Sequence, residues 1–109
     1  MGAWRISEGL PLSLDKLVVA FCADYERRRS AVEKHSVDIR TEMEYKYLNH
    51  RIFEGAAEVV GPSYAELYIK EIGSGIGYAK SEHPASCEQS YKREKQKTKL
   101  NIAKKLHLA

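Results

Sequence analysis

No alternating run of β-branched residues occurs anywhere in the chain, and its three prolines and seven glycines lie mostly at segment edges instead of at hairpin spacing. Sheets need period-two patterning broken by frequent turn residues, so their absence favours an all-α fold. Cysteine is equally sparse. Cys22 and Cys87 stand far apart with no secretory leader recognised, so no disulfide framework is expected and a reducing cytoplasm is the expected location. Long apolar runs are missing too: the longest, Leu17 to Ala23, is far too short to span a bilayer, so no membrane association is expected. Met1-Gly2 begins a myristoylation spelling, but position 6 is Ile where Ser or Thr is required.

Catalytic spellings are also lacking. The carboxylates are spread along helix-period sequence, no Ser/His/Asp or Cys/His set is evident, and His35, His50, His83 and His107 form no metal-spaced group. His83 and Cys87 are four apart, but Pro84 opposes a helix between them and two ligands do not make a structural zinc site. Gly73-Ser74-Gly75-Ile76-Gly77 follows helix-period sequence, whereas a dinucleotide loop follows a strand, so turn glycines between helices explain it better. The expectation is therefore a non-enzyme with no cofactor, no metal and no small-molecule substrate.

What is present is helical periodicity on a 109-residue scale, which suits one domain over 1–109 with a partner copy covering part of its apolar surface. Residues 1–12 carry Trp4, Gly9 and Pro11 without a period and read as a loosely held arm. From Ser13, a plausible N-cap, Leu14, Leu17, Val18, Phe21, Tyr25 and Val32 predict a first helix over about 13–34. Arg27-Arg28-Arg29 lies late in it, where the bland reading is a solvated run complementing the helix dipole and the sharper one a phosphate contact.

Either Ser36 or Thr41 starts a second helix, Thr41 to Glu44 having the spelling of a capping box. Its stripe of Met43, Tyr47, Leu48, Ile52, Ala56 and Val59 is widened by Tyr45, Phe53, Ala57 and Val60, which predicts burial on two sides; Gly61-Pro62 ends it. The two helices are expected to form an antiparallel hairpin over 13–60, the assembly part of a homo-oligomer with Leu48 and Ile52 at the interface.

Ser63 to Glu66 spells a second capping box, opening a short helix through Tyr64, Leu67, Tyr68 and Ile72 that stops at or just after Gly73. A long C-terminal helix follows Pro84, capped by Ser86, with Tyr91, Thr98, Ile102, Ala103 and Leu106 as its stripe. Charge divides unevenly along the chain. Residues 81–109 hold seven Lys and Arg against three Glu, so they carry +4 while residues 1–80 carry −1 of the total +3. Such an asymmetry speaks to polyanion binding and not to fold.

Glu71-Ile72-Gly73 followed by Ile76-Gly77-Tyr78 is spelled as helix-turn-helix units pass from first helix to turn. A recognition helix starting at once would meet Pro84. Either the turn is lengthened and recognition passes to the helix near Ser86, or the spelling is accidental. Taken with Gly77-Tyr78-Ala79-Lys80-Ser81, Ser90-Tyr91-Lys92-Arg93 and Ile102-Ala103-Lys104-Lys105-Leu106-His107-Leu108, the C-terminal segment from Glu71 onward resembles small phage and mobile-element transcription regulators whose C-terminal part is similar to sigma-factor region 4.

That resemblance implies duplex DNA binding without cofactor or catalysis. It carries over Tyr91, Lys92 and Arg93 as contacts. By position on the same helix, Gln89 and Ser90 join them nearest the bases, with Lys95, Lys97 and Lys99 along the phosphates. The alternative is a helical homo-oligomeric interaction module whose basic tail is merely solvated.

Overall fold

The computed structural model describes residues 10–81 and 87–108. It is all-α, with no strand among the described residues. The helices are α1 (Leu12–Ala23), α2 (Tyr25–Glu33), α3 (Ile39–Val60), α4 (Pro62–Ser74) and α5 (Glu88–Lys105), with one 3-10 turn at Tyr78–Lys80 before α5.

The expected helix over 13–34 is interrupted at Asp24, so α1 and α2 are separate segments. The reason is Arg28, which turns inward and is 3% exposed; it donates to the Phe21 carbonyl at 2.5 Å and to Asn49 Oδ1 at 2.7 Å. Asn49 in turn donates to the Tyr25 carbonyl at 3.0 Å. Side chains thus take carbonyls on both sides of the break. The expected solvated run therefore holds only in part: Arg28 is core, whereas Arg27 and Arg29 keep solvent exposure while pairing, Arg27 with Asp24 at 3.2 Å and Arg29 with Glu26 at 2.6 Å and Glu66 at 2.8 Å.

Neither Ser36 nor Thr41 caps α3. Asp38 does, its carboxylate accepting from the Thr41 N–H at 2.8 Å, which places Thr41 inside the first turn. Ser63 does not cap α4 either. Gly61 (φ 89°) ends α3 and leads straight into Pro62 at the start of α4, where a missing N–H costs nothing. Glu66, freed from a capping role, accepts from Arg29 and from Tyr25 Oη. Gly73 lies inside α4, and Gly75 (φ 72°) closes it in the left-handed conformation.

α3 is the centre of the packing. α2 lies along its first half, with Arg27 reaching Tyr45 and His35 reaching Glu42. α4 and α5 pack against its second half. The core joins Val18, Cys22 and Tyr25 with Ile52, Ala56, Ala65, Ile69, Ile72, Ile102 and Ala103. Two crossings are close enough to require glycine: a Cβ on Gly55 would lie 2.9 Å from Ile102 Cα, and one on Gly73 would lie 2.6 Å from the Ala23 nitrogen. Ile52, expected at an oligomer interface, is fully buried inside the chain's own core and offers no surface to a second copy. Leu48 is half-buried. Of the arm expected at 1–12, residues 1–9 lie outside the described residues, as do the Ser86 cap and His83, while Leu12 already belongs to α1, whose N-cap is Pro11 and not Ser13.

Candidate nucleic-acid interface

α5 has two faces of different chemistry, set by where its residues fall on a 3.6-residue period. Tyr91, Thr98, Ile102 and Ala103 are buried, so the inner face is anchored at both ends. Gln89, Lys92, Arg93, Gln96, Lys97 and Lys104 are exposed on the opposite side.

The inner face takes up three residues expected at the DNA. Tyr91 is 1% exposed; its hydroxyl lies 2.9 Å from the Glu71 carboxylate and 3.1 Å from the Ile76 carbonyl. Its ring lies between those of Tyr68 and Tyr78, with centroids 6.1 and 6.0 Å away. Burial, reinforced by the neighbouring carboxylate, pushes its phenol up to about 12. Lys95 donates to the Ile76 carbonyl at 2.7 Å and sits 5.2 Å from the Tyr91 ring centre; desolvation, more than the nearby Lys99 charge, lowers its ammonium pKa. Lys99 pairs with Asp15 at 2.8 Å and is largely covered. These three residues hold α5 to the body and are not available to a groove.

Glu71 organises the turn before α5. It is 2% exposed and also accepts from Ser81 Oγ at 2.6 Å, so one buried carboxylate joins α4, the turn and α5. Tyr68 adds a second tie, donating to Glu94 at 2.6 Å. The sequence reading missed Glu71 because a carboxylate on a helical pattern ordinarily faces water.

The outer face keeps the remaining expected contacts. Gln89, Lys92, Arg93 and Lys97 are exposed and Ser90 is half-buried, its hydroxyl 3.4 Å from Cys87 Sγ. Lys92 pairs with Glu88 at 3.1 Å, while Arg93, Lys97 and Lys104 form no ion pair among the described residues. Lys104 was overlooked by sequence reasoning, although its place seven residues after Lys97 puts it on the same face. Cys87 ends this face; hydrogen bonding with Ser90 and the first backbone N–H groups of α5 lower its thiol pKa. The cations run about 18 Å along the helix from Lys92 to Lys104.

Among the described residues no group of three metal-ligating side chains occurs, and no helix is long and apolar enough to cross a membrane. The fold and surface thus define a small all-α chain with one outward basic helix face. Compared with family models, curated proteins and solved structures, the chain matches none. The resemblance to sigma-region-4-like regulators accordingly rests on its short motifs alone.

Proposed function

We propose that the chain binds duplex DNA without catalysis, as a transcription regulator does, through the outward face of α5. The observation that carries this reading is the row Lys92, Arg93, Lys97 and Lys104, interleaved with Gln89 and Gln96; among the described residues the exposed acids beside it are Glu88, paired with Lys92, and Glu58 of α3, paired with Lys105. Cations of this kind release counterions from phosphates, while glutamines and an arginine at the start of a helix are suited to base edges. The regulator class comes from the resemblance of the C-terminal segment from Glu71 onward. A specific observation also favours the interaction-module reading, namely the exposed apolar residues on α3 taken up below, and the two roles are compatible.

The test is a salt series on binding to random-sequence duplex. With about four phosphates neutralised per chain, log affinity falls against log salt with a slope near −3.6. Arg93→Ala lowers that slope by about one if it touches phosphate, and relaxes base preference at one position if it reads guanine. Binding that does not respond to salt, or no binding at all, refutes the reading.

A further inference from the structure

α3 turns two different faces outward along its length. Its second half is covered by α4 and α5, but on its first half Ile39, Met43 and Tyr47 stand at successive four-residue steps and are 76%, 66% and 54% exposed. Together these residues expose on the order of 400 Å², the size of the largest apolar patch on a typical monomer, which is often functional. Beside them Met43, Glu44, Tyr47 and Leu48 line a shallow recess of about 390 Å³.

The charges at the edge of this stripe indicate what covers it. Arg40 and Glu44 are both exposed, lie four residues apart on one helix, and form no ion pair among the described residues. An Arg placed before a Glu at this spacing is the weaker orientation of such a pair, so both remain available to an outside partner. On the other edge Lys46 and Glu42 already neutralise one another at 3.5 Å. The surroundings of the stripe are thus neutral, whereas the α5 face is strongly positive and repels its own kind.

We infer that the first half of α3 pairs antiparallel with the same segment of a second copy, with a twofold axis near Met43. This places Ile39 against the partner's Tyr47 and Met43 against the partner's Met43. It brings Arg40 within side-chain reach of the partner's Glu44, and the twofold repeats each contact. The interface is isologous, as cyclic dimers require. It uses none of the residues assigned to DNA, and so stands independently of that reading.

The test is sedimentation of the full chain between roughly 1 and 200 µM, which covers association free energies of about −5 to −8 kcal/mol. The expected result is a monomer–dimer equilibrium, with the double substitution Ile39→Glu and Met43→Glu weakening association by roughly 100-fold. Because both positions are exposed, circular dichroism and the thermal midpoint of that variant stay near those of the parent. Register is tested by oxidation in a Cys87→Ser background. A mixture of Ile39→Cys and Tyr47→Cys chains gives a disulfide-linked dimer, and neither gives one alone. A chain monomeric throughout, a dimer indifferent to the double substitution, or self-linking of the Ile39→Cys chain overturns the inference.

Discussion

At Gly73 and Gly55 helices meet backbone to backbone, and the two glycines act through what they leave out. Replacing Gly73 with Ala adds helix propensity worth about 1 kcal/mol. It also drives a methyl into the Ala23 backbone, which has no rotamer by which to yield. Overpacking costs about 1–3 kcal/mol and wins, so Gly73→Ala should destabilise the chain in urea unfolding, by roughly 1–2 kcal/mol net. Gly77 has open space around its Cβ position and a φ of −90°, so Gly77→Ala is the control and should be neutral or slightly stabilising.

Asp38 offers a second test at this scale. The Thr41 N–H holds its carboxyl below the usual range. A depressed folded pKa contributes stability that is present above the unfolded value, near 3.9, and is lost as pH falls through the folded one. Asp38→Asn keeps a capping acceptor but does not titrate. The stability difference between the two chains should therefore be constant above about pH 5 and change only on further acidification, as followed by thermal melts.

Among the elements, α5 shows most clearly what a sequence can and cannot disclose. Its stripe of Tyr91, Thr98, Ile102 and Ala103 was legible from period alone, because apolar and small residues recurred at steps of four and seven. The fate of its lysines was not. Lys95 and Lys97 are chemically identical and two apart, yet one reaches the Ile76 carbonyl and the other faces water. Period puts Lys95, four after Tyr91 and three before Thr98, on the inner face, but the Ile76 carbonyl it meets there is brought by the turn folded back by Glu71 and Ser81, and that is a tertiary fact. The break at Asp24 was hidden for the same reason, since it depends on Arg28 and Asn49 meeting across two helices. Capping was misread where several eligible residues crowded together: Ser36, Asp38 and Thr41 are all plausible caps, and Asp38 won.

The two lysines give a prediction. Lys97→Met should lower the salt slope of duplex binding by about one and leave stability within about 0.5 kcal/mol, as expected for an exposed phosphate contact. Lys95→Met should leave the slope unchanged and cost roughly 1 kcal/mol, through the donor lost at the Ile76 carbonyl. Equal effects on the slope would mean that α5 does not present the same face to DNA that it presents to water.

Over the whole molecule, the sequence suggested a division between an assembly hairpin at 13–60 and a separate basic tail. The packing argues against that division. Ile102 and Ala103 of α5 are fully buried against α3, Asn101 donates to the Gly55 carbonyl at 2.9 Å, and Arg51 donates to the Lys105 carbonyl at 3.0 Å. α5 is at once a wall of the core and the bearer of the basic surface, so its removal exposes Ile52, Ala56 and the groove beside Gly55. Ile102→Ala should therefore destabilise the entire chain by about 2–4 kcal/mol, the range for truncating a fully buried aliphatic side chain. Helix content and amide protection in α1, α3 and α4 should be lost in the same transition. A chain ending at residue 87 should lack cooperative unfolding altogether. If α3 amides kept their full-length protection in that truncated chain, the core would be independent of α5, and DNA binding could then be mapped by deletion as well as by single substitutions on its outward face.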